Sequence, residues 1–131
     1  MKKVKNSNSS FSKIAIIGLG YVGLPLSLQF ARSGVSVIGL DIDQAKIDSI
    51  NAGKSYIKHI SSELITELLQ ACKLEASADF SRVKEVEAVL ICVPTPLNKN
   101  RAPDISYVLN TGKAIASHLQ KGTLVVLEST T

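Results

Sequence analysis

Gly18, Gly20 and Gly23 stand in the spacing Gly-x-Gly-x-x-Gly, inside the tract Ile14-Ala-Ile-Ile-Gly-Leu-Gly-Tyr-Val-Gly-Leu-Pro25. Glycines so spaced bring bare backbone against an anion. Gly18 allows a tight turn out of a strand, Gly20 has no Cβ to keep a pyrophosphate away, and Gly23 lets the next helix pack closely on the sheet. The turn opens a helix N-terminus, where unpaired N–H groups and the helix dipole attract phosphate. The spacing is weak evidence alone, but its context is complete. An apolar strand precedes it, a helix follows, and a second strand, Val35–Leu40, ends at an acid, Asp41. This is the arrangement of a dinucleotide site.

Asp41 lies 18 residues beyond Gly23. A carboxylate there accepts hydrogen bonds from both hydroxyls of the adenosine ribose and repels a 2′-phosphate, which favours NAD over NADP. Lys46, one turn into the next helix, could face that ribose or a phosphate; the alternative is an ordinary exposed lysine. A second polar site follows a later strand, in Cys92-Val93-Pro94-Thr95-Pro96-Leu97. Two prolines fix the backbone around Thr95 and aim its hydroxyl, with plain loop rigidity as the alternative. A third is Glu128-Ser129-Thr130, after the last strand. In an open parallel sheet ligands sit outside the carboxyl ends of the strands, and all these sites fall on that rim. Cys92 reads as a small core residue, not a nucleophile. His59 reads as a surface-loop residue and His118 as a helix-end residue.

The elements that must position these groups alternate between apolar runs and helical periods. That pattern predicts an α/β domain, a Rossmann-like doubly wound parallel sheet. Strands are expected at Lys13–Ile17, Val35–Leu40, Lys73–Ala76, Ala88–Val93 and Leu124–Leu127. Helices are expected from the glycine turn to Ser33, over Gln44–Asn51 with Asp43 as N-cap, and within Ser61–Cys72. A last helix is capped by Asp104. The stripe Leu64, Ile65, Leu68, Leu69 and Cys72 should face the core. So should Ile105, Val108, Leu109, Gly112, Ile115, Ala116 and Leu119.

With 131 residues and 45% hydrophobic content, the chain has material for one domain with a real core and is not a disordered chain. Residues 1–11 read as a flexible tail, and Lys2, Lys3 and Lys5 account for three of the four units of net positive charge. A basic nucleic-acid face is therefore not expected. No apolar run reaches membrane-spanning length. Cys72 and Cys92 have no metal-ligand spacing, which points to a reduced, cytoplasmic chain and no metal site. The sequence stops at Leu127-Glu-Ser-Thr-Thr131, directly after a strand, and the expectation is a truncated fragment of a longer protein.

Four tracts together resemble the N-terminal domain of the UDP-glucose/GDP-mannose dehydrogenases: Gly18-x-Gly-Tyr-Val-Gly-Leu-Pro25, Asp41 with Lys46, Cys92-Val-Pro-Thr-Pro96 and Glu128-Ser-Thr130. The resemblance covers residues 12–131. Ser55-Tyr-Ile-Lys-His-Ile60 and the tract Ile91–Asp104 look most like the UDP-N-acetylglucosamine 6-dehydrogenase branch, which supplies uronic-acid sugars for bacterial surface polysaccharide. The resemblance implies oxidation of a sugar C6 alcohol to a carboxylate by two NAD, through an aldehyde captured on a cysteine and a thioester that water hydrolyses. UDP-glucose, UDP-N-acetylmannosamine and GDP-mannose are alternative substrates. It further implies that Asp41, Lys46, Thr95, Thr130 and the backbone of Leu19, Tyr21 and Val22 contact NAD. Val93 and Pro94 would join them beside the glycines. Thr95 and Glu128 would position or activate the hydrolytic water. Neither Cys72 nor Cys92 matches the family nucleophile, and the middle helical and sugar-binding domains have no counterpart in this chain. The family dimerises through that middle domain, so a homodimer is implied for the whole protein and a monomer for the fragment. A free-standing dinucleotide-binding regulatory module stays open as the alternative.

Overall fold

A computed structural model describes residues 11–128. The expected tail through residue 10 and Thr130 lie outside them. Five strands, β1 (Lys13–Ile17), β2 (Ser36–Leu40), β3 (Leu74–Ser77), β4 (Ala88–Ile91) and β5 (Leu124–Leu127), form one sheet in the order β3-β2-β1-β4-β5. Every pairing is parallel, with Ile14 opposite Val37 on one side and Ala88 on the other. The chain builds outward from β1 to β3, then crosses back to β4, so the order reverses between β1 and β4. The doubly wound α/β class follows from that reversal.

Helices cover both faces. α1 (Gly23–Arg32), α2 (Gln44–Asn51) and α3 (Ser62–Gln70) lie on one side. There Leu24, Leu28, Ile47, Ile50, Ile65 and Leu68 pack on Ile14, Ile16, Val37 and Leu90. The opposite face carries α4 (Ser106–Ala116) and a short 3₁₀ helix, Phe80–Glu85, packed on Ala15, Ile17, Ile38, Leu40 and Ile91. The alternation of Ile14/Ile16 against Ala15/Ile17 between the two cores is the period-2 rule of a strand, here with both faces buried. The 3₁₀ helix was not anticipated. Its signal was Asp79, whose carboxylate accepts from Ser81 N at 3.0 Å. Arg82 then ties it to β3 by donating to Glu75 at 2.5 Å, and braces the helix internally by donating to Glu85 at 3.0 Å.

Several expectations need correction. Cys72 does not continue the α3 stripe: the helix ends at Gln70, and Cys72 is exposed with φ 59°, in the turn that leads to β3. Of the apolar stripe on α4 only Ile115 is buried, while Ile105 and Leu109 are 51% and 54% exposed. Ile105 and Leu109 belong to neither core cluster, and β5, an edge strand of the sheet, is itself largely exposed. Asp104 acts two residues before α4, accepting from Ser106 N at 2.9 Å. β4 ends at Ile91, two residues earlier than expected, although Cys92 and Val93 remain buried. Among the described residues no helix is long and apolar enough to cross a membrane.

Candidate functional site

The turn between β1 and α1 is built by contacts that exclude side chains at two of its three glycines. Gly18 has φ +96°, and a Cβ there would lie 2.8 Å from the carbonyl oxygen of Cys92. A Cβ on Gly23 would fall 1.6 Å from the carbonyl oxygen of Gly18, an impossible contact. Gly20 differs: nothing stands within 4 Å of where its Cβ would be. Gly18 and Gly23 therefore close the turn, and Gly20 leaves space above it. Among the described residues nothing accepts the N–H groups of Gly20, Tyr21 or Val22. Unpaired donors at the start of a ten-residue helix, beside open space, fit a phosphate group.

Asp41, at the end of β2, is buried and faces this turn. Its Oδ2 accepts from Leu19 N at 2.8 Å and its Oδ1 from Asp43 N at 2.9 Å. Each carboxylate oxygen has two acceptor positions, so both still have capacity for a ribose hydroxyl. Asp43 caps α2 as expected, accepting from Ala45 N at 3.0 Å. Lys46 follows in the first turn of α2 and borders the same space. From the segment after α2, the Tyr56 hydroxyl donates to the carbonyl of Leu19 at 2.5 Å. Burial first, then the Asp41 and Asp43 carboxylates, raise the Tyr56 phenol above its ordinary range and keep it a donor.

These groups line one cleft of about 720 Å³ at the carboxyl ends of the strands, where the strand order reverses. Gly18, Leu19, Gly20, Tyr21, Val22, Asp41, Lys46, Val93 and Pro94 all border it. Gly23 sits beneath the turn. Thr95 and Glu128 do not border the cleft, although they follow adjacent strands on the same rim; Glu128 N donates to Ile91 O at 2.9 Å. Cys92 lines the floor. Burial, with a smaller contribution from Glu128, pushes its thiol up to about 11, which suits a packed residue and not a nucleophile. His59 is exposed and away from the cleft.

Sequence reasoning missed one wall. Tyr107, Asn110, Thr111 and Ala114 of α4 border the cleft, together with Phe80 of the 3₁₀ helix. Their spacing of three, one and three residues is one helical face, legible beside the apolar stripe but assigned no part. Ile42, 79% exposed at the rim next to Asp41, was also passed over.

A family model described as the UDP-glucose/GDP-mannose dehydrogenase family, NAD binding domain, matches residues 12–131. The chain is similar to UDP-N-acetyl-D-mannosamine dehydrogenase of Escherichia coli (strain K12), 41% identical over 125 residues, which cover 92% of this chain and 28% of that protein. An NDP-N-acetyl-D-galactosaminuronic acid dehydrogenase of Ralstonia nicotianae is 40% identical over 121 residues, with 92% and 28% covered. Among solved structures, GDP-mannose dehydrogenase from Pseudomonas aeruginosa superposes with a TM-score of 0.83 at 34% identity, covering 90% of this chain and 28% of that one. A UDP-glucose dehydrogenase from Pyrobaculum islandicum gives 0.85 at 26% identity, covering 94% and 30%. The chain thus spans 28% of the length of the first two relatives.

Proposed function

Since the chain belongs to the UDP-glucose/GDP-mannose dehydrogenase family and matches its NAD-binding domain, we propose that the protein oxidises the C6 alcohol of a UDP-N-acetylhexosamine to the carboxylate. Two molecules of NAD, bound in turn, would each accept one hydride, and water would supply the second carboxylate oxygen. The observation that carries the cofactor part is the open turn at Gly20 beside the buried carboxylate of Asp41. The N–H groups of Gly20, Tyr21 and Val22 hold the pyrophosphate, with Gly18, Leu19 and Gly23 shaping the turn. Asp41 takes the ribose hydroxyls and Lys46 supports them. Val93 and Pro94 form the opposite wall, and Thr95 and Thr130 complete the contacts.

The names of the curated relatives support an N-acetylhexosamine as substrate. Of the two C2 epimers they favour the manno form over the gluco form read from the sequence. In this reading Glu128 and Thr95 serve the water that completes the oxidation. The sugar binds largely through parts of the longer protein, which works as a cytoplasmic homodimer in surface-polysaccharide synthesis.

The test is to incubate the full-length protein with NAD and each of UDP-N-acetylmannosamine, UDP-N-acetylglucosamine, UDP-glucose and GDP-mannose while following NADH. The expected result is about two NADH per UDP-N-acetylhexosamine consumed. NAD binding without NADH from any sugar would instead identify a regulatory module.

A further inference from the structure

Tyr56 belongs to the tract Ser55-Tyr-Ile-Lys-His-Ile60, to which sequence analysis gave no role beyond its family likeness. Its half-buried ring packs against the core beneath α1 to α3, and its hydroxyl reaches the Leu19 carbonyl. The segment that carries it is itself tied down. Ser55 N donates to Ser62 Oγ at 2.9 Å, Ser55 Oγ donates to Ile57 O at 2.8 Å, and Ile57 is buried.

Leu19 is consequently gripped on both sides, its N–H by Asp41 and its C=O by Tyr56. In a trans peptide the C=O and the following N–H point in opposite directions. The bond to Tyr56 therefore turns the Gly20 N–H away from Tyr56, and no described group accepts that N–H. Reversing this peptide would aim the Leu19 carbonyl oxygen where the N–H now points, and an oxygen there would repel a phosphate. Gly20, with space around it, offers little steric resistance to such a reversal.

We propose that Tyr56 is a positioning residue, whose hydroxyl holds the Leu19–Gly20 peptide in the orientation that presents the Gly20 N–H to the pyrophosphate of the dinucleotide. The inference rests on the NAD reading given above. A phenol suits the task because it is neutral: it donates to the carbonyl without bringing negative charge near the pyrophosphate. Burial and the neighbouring carboxylates keep it protonated.

The experiment compares Tyr56→Phe with the parent for binding of NAD, ADP-ribose and adenosine. Phenylalanine keeps the ring packing and removes only the hydroxyl. The expected result is about three- to tenfold weaker binding of NAD and ADP-ribose, the range of one neutral hydrogen bond, with adenosine unchanged. Unchanged NAD affinity overturns the proposal, as does an adenosine affinity that falls by the same factor. A parent protein that binds neither NAD nor ADP-ribose contradicts the NAD reading and removes the basis of this one. A second readout uses the unsubstituted protein, so a variant that fails to fold does not decide the matter. The Tyr56 hydroxyl proton, followed by NMR, should shift on addition of ADP-ribose and stay in place with adenosine. A resonance indifferent to ADP-ribose overturns the proposal.

Discussion

The carboxylate of Asp41, at the end of β2, accepts a 2.8 Å hydrogen bond from the backbone N–H of Leu19, in the turn that follows β1. One side chain thus shapes the glycine turn and supplies the negative charge at the proposed ribose site. Removing it outright would disturb both, so the informative change keeps an oxygen and discards the charge.

Asp41→Asn makes that change. An asparagine oxygen can still accept from Leu19, while the electrostatic barrier to a 2′-phosphate disappears. Calorimetry on the parent should show tighter binding of NAD than of NADP. In the variant NAD should weaken by ~1.5–3 kcal/mol, the worth of hydrogen bonds to a charged group, and the gap to NADP should narrow. Equal affinities in the parent contradict the ribose role.

Much of this site was legible in the sequence because its parts are local. The glycine spacing, the Asp43 cap and the apolar run that carries Cys92 are patterns readable from neighbouring residues, and each is present. What was not legible depends on tertiary placement. Tyr56 is 37 positions from the carbonyl it holds, and no periodicity encodes that contact. The α4 stripe failed for a related reason: a 3.6-residue period says that one face is apolar, and only the extent of the sheet beneath decides whether it is covered. Ile105 and Leu109, on the apolar face, are left exposed, whereas Ile115 is buried.

The two cysteines should differ sharply in reactivity. Cys72 is exposed, while the Cys92 thiol is raised from its ordinary value near 9 to about 11. Because the thiolate is the reactive form, iodoacetamide at pH 8 should label Cys72 quickly and leave Cys92 largely unmodified, as read by peptide mass mapping. The same shift has a signature in stability. Above pH 9 the unfolded chain releases the Cys92 proton before the folded one does. The contribution of this residue is therefore intact below pH 9 and declines between there and about 11. Cys92→Ala should flatten that part of the curve, and labelling of both cysteines at one rate would contradict the assignment.

Residues 1–131 alone should yield no NADH with any nucleotide sugar. Cys72 does not border the cleft, and Cys92 is buried in its floor with a poorly ionised thiol. Covalent capture of an aldehyde needs an available thiolate at the reacting carbon. Spectrophotometry at 340 nm decides this, and sustained NADH production would refute it.

In the full-length protein, Glu128→Gln should slow steady turnover by ~10²–10⁴-fold, the usual worth of a positioned base. It should also spare an initial burst of NADH and leave an acyl adduct visible by mass spectrometry. Loss of the burst, or turnover at the parent rate, would remove Glu128 from the hydrolytic step.

The central claim is that the turn at Gly20 is open in order to receive the cofactor, and Gly20→Ala tests it most directly. The new methyl group meets nothing within 4 Å, so the variant should fold with stability within about 0.5 kcal/mol of the parent. Gly23→Ala serves as the contrast, since its Cβ would collide with the Gly18 carbonyl and the fold should suffer. Titration of Gly20→Ala with NAD, beside a thermal melt of the free protein, should show an unaltered melt and an affinity reduced on the order of tenfold or more, ~1.4 kcal/mol. An unaltered melt with unaltered NAD affinity would contradict the account.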